Sequence, residues 1–332
     1  MTNYGNMYGP AFTFLGIPAC DLDEPETYKD ADVIIVGAPI DSGTSHRSGA
    51  KFGPQAIRMG DYLPHDGERP HLALRVDSLK ELKVYDAGDL LMPGMDLVKS
   101  LKILEAATEK ISRAGAIAVV LGGDHSIASA DVAGIANHRG KGKISMIHFD
   151  AHADTGEDQW GALVGHGTPM RRLIESGAVR GDRFLQLGLR GYWPDNKTIE
   201  WMRDQKMRSY EMTEIHHRGM KAVLDESFAT LTDGCDGVFL SVDIDVVDPG
   251  MAPGTGTPEP GGMTSRELLE AVRRICLELP VVGIDIVEVA PPFDSADITA
   301  ILANRVVLEA LSAITARKKG IKYNPTKNLL DR

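Results

Sequence analysis

Asp150, His152 and Asp154 alternate through "HFDAHADTG" (148 to 156), directly after the apolar run "ISMI". Asp243 and Asp245 repeat the spacing in "SVDID", "GGDHS" adds Asp124 and His125, and Glu288 stands at the end of "GIDIVEV". In an extended chain residues i, i+2 and i+4 point the same way, so each alternating set is expected to form one row. Carboxylates at a poorly solvated strand end carry a large desolvation cost, and no Lys or Arg lies within either run to offset it. A bound cation is the expected compensation.

The donor types narrow that cation. His125, Asp150, His152, Asp154, Asp243 and Asp245 offer more groups than one tetrahedral zinc uses, with oxygen predominating over nitrogen and no sulfur. Two divalent ions sharing carboxylates are expected, Mn²⁺ first, with Ni²⁺, Co²⁺ or Fe²⁺ behind it. The four carboxylates balance the two ions, and a bridging hydroxide then leaves one net negative charge, which suits a cationic electrophile. An ion pair of this kind lowers the pKa of bound water to roughly 7, so hydrolysis is the implied reaction.

The elements that must position these groups are legible as short apolar runs. Strands are expected from about residues 32, 83, 117, 144, 183, 208, 237 and 281. Helical spacing covers 97–114, 195–206, 265–279 and 297–316. This alternation predicts an α/β protein with a parallel sheet covered on both faces and its ligands at the C-terminal strand ends, although a (β/α) barrel fits the same pattern. The loop "DPGMAPGTGTPEPGGMTS" (248 to 265) is too rich in Gly and Pro for regular structure, and its length points to function. No linker or repeat divides the chain. The expected organisation is an irregular segment over 1–30, one catalytic domain over 31–320 and a tail over 321–332.

Composition excludes several classes. A formal charge of −11 over 332 residues, without a Lys/Arg block, argues against a nucleic-acid partner. Three widely spaced cysteines, Cys20, Cys235 and Cys276, fit neither a disulfide framework nor a Cys-based zinc site, and a reducing cytoplasm is the expected compartment. The N-terminus lacks a basic and apolar leader, and the apolar strand runs are too short to span a bilayer, so no membrane partner is expected.

These motifs resemble the ureohydrolases, the family of arginases, agmatinases and related guanidino-compound hydrolases. The resemblance runs in order through "GTSHRSGAKFGPQAIR" (43 to 58), "GGDHS" (122 to 126), "HFDAHADT" (148 to 155), "GHGTP" (165 to 169), "SVDIDVVDPGMAPGTGTPEPGG" (241 to 262) and "VEVAPPFDSADIT" (287 to 299). "APGTGTPEPGG" favours the agmatinase-like branch. The resemblance implies a three-layer α/β/α fold on an eight-stranded, mostly parallel sheet. It further implies a dinuclear manganese centre, nickel being the alternative, and a homo-oligomer, trimer or hexamer, in which a related paralogous subunit could also take part. By position, His125, Asp150, Asp154 and Asp245 bind one or both ions, and His152 and Asp243 complete the set. Asp154 also holds the bridging hydroxide and passes a proton to the leaving amine. His166 acts as proton shuttle, and Glu288 pairs with the guanidinium.

Agmatine is the first expected substrate, with guanidinobutyrate, free guanidine or an alkylated guanidine or biguanide as alternatives. "SHRSGAKFGP", Ser295 and Trp160 depart from the usual agmatinase pattern in loops expected near the substrate tail. Trp160 is either a packing residue or a pocket wall that meets a cation with its ring. A zinc-dependent deacetylase and a structural subunit of a mixed oligomer are the competing readings. The first needs only one metal, and the second usually lacks ligands that this chain retains.

Overall fold

The computed structural model describes residues 12–61, 70–326 and 330. Residues 1–11 of the N-terminal segment and most of 327–332 in the tail lie outside them. Within 12–30 the chain forms two short 3-10 turns, Phe14–Gly16 and Pro25–Tyr28, and Ala19 bridges to Asp86.

Eight strands form one sheet: β1 (Val33–Ala38), β2 (Val84–Asp89), β3 (Ile117–Gly122), β4 (Ile144–Phe149), β5 (Val179–Leu189), β6 (Arg208–Glu211), β7 (Gly237–Asp243) and β8 (Val281–Val287). Their order is β2-β1-β3-β8-β7-β4-β5-β6, and every pairing is parallel. The sheet has two edges, β2 and β6, so the barrel permitted by the alternation is not formed. All eight expected strands are present; the central ones, such as β1 with every residue buried, are covered on both faces and so stand out in the sequence as apolar runs.

Alternate side chains of each strand feed two cores. Ile34 and Val36 of β1 pack with Leu104 and Ile111 of helix Leu97–Arg113 and with Val132 and Ile135 of helix Ala128–Arg139. Val33 and Ile35 point the other way, toward Val272 and Ile275 of helix Ser265–Glu278 and Val306 of helix Ile298–Lys318. The result is three layers, α/β/α. Helix Ile298–Lys318 is long and apolar enough by length and composition to cross a membrane, but most of it is buried within the protein.

This topology places the chemistry. β3, β8, β7 and β4 are consecutive neighbours, so their C-terminal ends, carrying His125, Glu288, Asp243 and Asp150, lie side by side. Adjacent strands sit about 4.8 Å apart, which is the spacing at which side chains from neighbouring ends can share an ion. "GGDH" needs its second glycine for this: a Cβ on Gly123 would fall 2.1 Å from the Ile40 carbonyl oxygen.

Candidate metal centre and active site

The alternating acids do not stand in a strand row. β4 ends at Phe149, and Asp150 to Asp154 follow as irregular backbone, with Asp154 in the left-handed region at φ 51°. β7 ends at Asp243, and Asp245 lies in the 3-10 turn Ile244–Val246. The backbone turns because the carboxylates capture it: Asp150 Oδ1 accepts from His152 N at 2.6 Å, and Asp243 Oδ1 from Asp245 N at 2.9 Å. The sets therefore wrap around a centre instead of lining one edge.

Around His125 Nδ1 stand Asp154 Oδ2 at 3.0 Å, Asp150 Oδ2 at 3.1 Å and Asp243 Oδ2 at 3.2 Å, all buried. Around His152 Nδ1 stand Asp245 Oδ2 at 3.1 Å and Asp150 Oδ1 at 3.4 Å. Asp150 belongs to both groups, with one oxygen turned to each. All six residues expected to ligate metal are thus brought together.

The donor set fits divalent ions. His125 Nε2 lies 2.9 Å from Ser241 Oγ, which itself donates to Asp285 Oδ1 at 2.7 Å. The Ser241 hydroxyl hydrogen is directed at the carboxylate, so its oxygen accepts from Nε2–H, and Nδ1 is left with a lone pair. That buried Nδ1 has three carboxylate oxygens within ion-pair distance and no hydrogen bond of acceptable geometry. A lone pair among anionic oxygens is what a cation satisfies. The same carboxylates favour positive charge at this position: burial opposes charge on His125, yet Asp150, Asp154 and Asp243 raise it well above its ordinary value. Burial likewise opposes charge on His152, and Asp245 and Asp150 push it up to about 12. Asp243 is raised by burial, then by Asp245 and Asp150.

Sequence reasoning passed over His148, which also adjoins this cluster. Its Nε2 lies 2.8 Å from Asp150 Oδ2, and its Nδ1 faces Gln186 Nε2 at 3.1 Å. Gln186 Nε2 also meets the Ala153 carbonyl at 2.7 Å, an oxygen that only accepts, so this end of Gln186 is the amide nitrogen. His148 therefore accepts at Nδ1 and donates from Nε2 to Asp150, which makes it an orienting donor and not a ligand. Asp150, against the cost of burial, is held well below its ordinary value by His148 and His125. The signal was available two residues before Asp150, but a lone His within an apolar strand is indistinguishable from a satisfied core residue.

His166 and Glu288 form a second layer. Glu288, buried at the end of β8 with φ 62°, accepts from His125 N at 2.9 Å and pairs with His166 Nδ1 at 2.9 Å through the same Oε1. Its Oε2 is buried without a hydrogen-bond partner. Two non-glycine residues in the left-handed region, Asp154 and Glu288, each cost of order 1–3 kcal/mol, a strain that concentrates at functional sites. Burial opposes charge on His166, but Glu288, then Asp154 and Asp124, push it up to about 9. Asp124, in contrast, is used locally: it accepts from Gly43 N at 2.7 Å and from Ser126 N at 3.0 Å.

A cavity of about 400 Å³ opens onto the centre, lined by His152, Asp154, Asp243 and His166 at its inner end and by Ser45, Asp158, Gln159, Trp160, Gly167, Trp193 and Thr257 further out. Trp160 is 82% exposed and stands at the cavity wall. Among the described residues no Lys or Arg lines this cavity. The cations nearest in sequence are engaged elsewhere: Arg47 donates to Thr255 O and Gly256 O, and Arg190 to the carbonyls of Asp245 and Glu259. Arg190 thereby clamps the Gly/Pro-rich loop against the turn that carries Asp245. Thr257 of that loop donates to Asp245 Oδ2 at 3.3 Å.

Comparison with known proteins agrees with this geometry. The family model "Arginase family" matches residues 31–313. The chain is 34% identical to a guanidinobutyrase of Pseudomonas aeruginosa, over 92% of this chain and 93% of that protein. It is 37% identical to an agmatinase of Cronobacter sakazakii, over 93% and 95% respectively. The solved structure of proclavaminate amidinohydrolase from Streptomyces clavuligerus superposes with a TM-score of 0.80 at 32% identity, covering 93% of this chain and 99% of that one. With its fold, its motif order and its clustered His and Asp side chains in agreement, the chain belongs to the arginase family.

Proposed function

We propose that this protein hydrolyses a guanidino compound, releasing urea and an amine, at two divalent ions held by His125, Asp150, His152, Asp154, Asp243 and Asp245. The observation that carries this reading is Asp150, whose two oxygens face two separate His-containing groups. Hard oxygen and imidazole donors favour Mn²⁺, with Ni²⁺ second. Ions bound there supply a nucleophile at neutral pH by acidifying water.

The remaining work falls to the protein. Glu288 offers the guanidinium an acceptor through its unpartnered Oε2, a buried atom whose desolvation a cationic group offsets. Its carboxyl is buried against His166, which lines the cavity, so the guanidinium has to enter past His166 to reach it. Asp154 passes a proton toward the departing nitrogen, and His166 carries protons between that nitrogen and solvent, since an expelled amine must be protonated. Trp160, Trp193 and Asp158 surround the outer cavity, where two indoles and a carboxylate suit a cationic or apolar tail and no Lys or Arg among the described lining residues meets a carboxylate. A cavity of about 400 Å³ has room for more than free guanidine. Agmatine is therefore the preferred reading over guanidinobutyrate. A homo-oligomer in the cytoplasm, trimeric or hexameric, is the proposed setting, from the family resemblance and the cysteine usage.

Urea release by the Mn²⁺-loaded protein from agmatine, a neutral alkylguanidine, guanidinobutyrate, arginine and guanidine tests both parts. The reading requires kcat/KM for agmatine or the alkylguanidine to exceed that for guanidinobutyrate. The reverse order overturns the assignment of the tail, and no urea from any of them overturns the reaction.

A further inference from the structure

The turn that carries Trp160 is held by a side chain to which the proposed reaction gives no role. Gln159 and Ala162 exchange both backbone N–H groups, at 2.8 and 3.0 Å, around Trp160 at φ 53° and Gly161 at φ 85°. Two consecutive positive φ values mark the tight hairpin turn whose first position favours Asn or Gly. Here that position is a bulky indole, 82% exposed at the cavity wall, so its surroundings have to hold the backbone in place. Asp158 Oδ1 accepts from Gly161 N at 2.8 Å. The Gln159 amide reaches further: its Nε2 donates to the Gly43 carbonyl at 2.9 Å, and its Oε1 accepts from Gly167 N at 3.1 Å. A carbonyl only accepts and a backbone N–H only donates, so both ends of the amide are committed in one orientation. The fit is close, since a Cβ at Gly165 would fall 2.5 Å from Gln159 Oε1.

The two partners of that amide flank His166. The Gly43 carbonyl also accepts from His166 N at 3.0 Å, and Gly43 N is itself anchored on Asp124 Oδ2 at 2.7 Å. Two residues on, Ser45 meets His166 Nε2 with its N–H at 3.0 Å and its Oγ at 2.6 Å. Gly167, the other partner, follows His166 in the chain. We propose that Gln159 is a positioning residue that joins the Trp160 wall to His166, so that one amide holds both the indole beside the substrate tail and the imidazole that relays protons. The inference rests on the roles given above to Trp160 and His166. Without the amide, segments 43–45 and 165–167 lose the side chain that bridges them, and the Trp160 turn loses its tie to both. A reacting group misplaced by about 1 Å costs up to roughly 100-fold in rate. A cation over an exposed ring is worth roughly 2–5-fold in binding. Both losses are therefore expected from a single side chain that touches neither the substrate nor the ions.

The test introduces Gln159→Met, which keeps the length of the side chain and removes both hydrogen bonds, into the wild type and into the Trp160→Ala and His166→Asn backgrounds. Urea release from agmatine by the Mn²⁺-loaded proteins gives kcat and KM. In the wild-type background kcat should fall by roughly 10–100-fold and KM rise by roughly 2–5-fold, with Mn²⁺ content unchanged. The loss in kcat should disappear in the His166→Asn background and the rise in KM in the Trp160→Ala background, because Gln159 acts through those residues. A second measurement needs no turnover. In the holoprotein labelled with fluorotryptophan, the fluorine resonance that Trp160→Phe removes should narrow in Gln159→Met, as the indole gains motion on the nanosecond scale. A purely structural role would lower the melting temperature and leave that resonance and both kinetic constants at their wild-type values. That result, loss of Mn²⁺, or effects undiminished in the two backgrounds overturns the proposal. Should Gln159→Met not fold, Gln159→Glu carries the same comparisons, since it keeps the shape and the acceptor toward Gly167 N and loses only the donor toward Gly43 O. A wild type that releases no urea contradicts the proposed hydrolysis instead, and the width of the Trp160 resonance then decides whether the amide holds the turn.

Discussion

His166 Nδ1 lies 2.9 Å from Glu288 Oε1, while Nε2 of the same ring accepts from the backbone N–H of Ser45 at 3.0 Å. A backbone N–H can only donate, so this geometry puts the ring proton on Nδ1 and the lone pair on Nε2, beside Ser45 at the cavity wall. The neighbouring carboxylates pull the other way, toward a doubly protonated ring. A ring balanced between the two states is suited to relaying protons. His166→Asn is expected to lower kcat by roughly 10²–10⁴, the usual worth of general acid–base catalysis. Metal content should stay unchanged; an equal loss of metal would place His166 in the centre itself.

Asp150→Asn should release metal and abolish turnover while leaving the fold largely intact. Asp150 faces both His-containing groups, so neutralising it weakens both. Metal analysis with circular dichroism checks this, and a fully loaded, active variant would remove Asp150 from the centre.

Reversing the charge at the cavity mouth should change substrate preference. Asp158→Lys places a cation where the described lining residues supply no Lys or Arg. The ratio of kcat/KM for agmatine to that for guanidinobutyrate should fall by roughly fivefold, the scale of one exposed ion pair. An unchanged ratio means that the tail does not pass Asp158.

Arg58 bonds Asp86 through Nε at 2.9 Å and Nη2 at 3.0 Å and also binds Asp89, with all three side chains buried. The triad fastens helix Gly53–Met59 to the edge strand β2. Removing one member of a buried pair costs about 3–5 kcal/mol. Arg58→Ala should lower the unfolding free energy of the metal-free protein by that amount in a denaturant titration.

Glu309 supplies an acid-side transition. Burial opposes its charge, but hydrogen bonds from His71 and Arg273 prevail and hold its carboxyl below the ordinary value. A depressed carboxyl contributes its stability above the unfolded pKa, roughly 4.3, and loses it as pH falls through the lower folded value. Glu309→Gln should therefore melt below the wild type at neutral pH, with the gap closing under about pH 4. A gap independent of pH would show that charge is not the stabilising feature.

The parts legible in the sequence are those fixed by local pattern. Double-sided burial writes a strand such as "VIIVGA" as an unbroken apolar run, and polar ligands stand out where such runs end. The row geometry failed because spacing says nothing of where a strand stops: Asp150 and Asp243 cap their own turns and bend the backbone around the metal position. His148, Gln186, Ser241 and Asp285 are invisible in the sequence because each is unremarkable alone. Their roles come from contacts across neighbouring strands, which a one-dimensional pattern does not encode. Asp158 and Trp193 reach the same cavity from separate loops, so the charge of the outer cavity wall is readable only in three dimensions.

If two ions at the shared carboxylate Asp150 drive hydrolysis of a guanidino compound, turnover requires both. Chelated protein titrated with Mn²⁺ while urea release from agmatine is followed tests it most directly. Activity that rises to saturation at two equivalents of metal per chain is the predicted result. Full activity at one equivalent, or no urea at any metal loading, would contradict it.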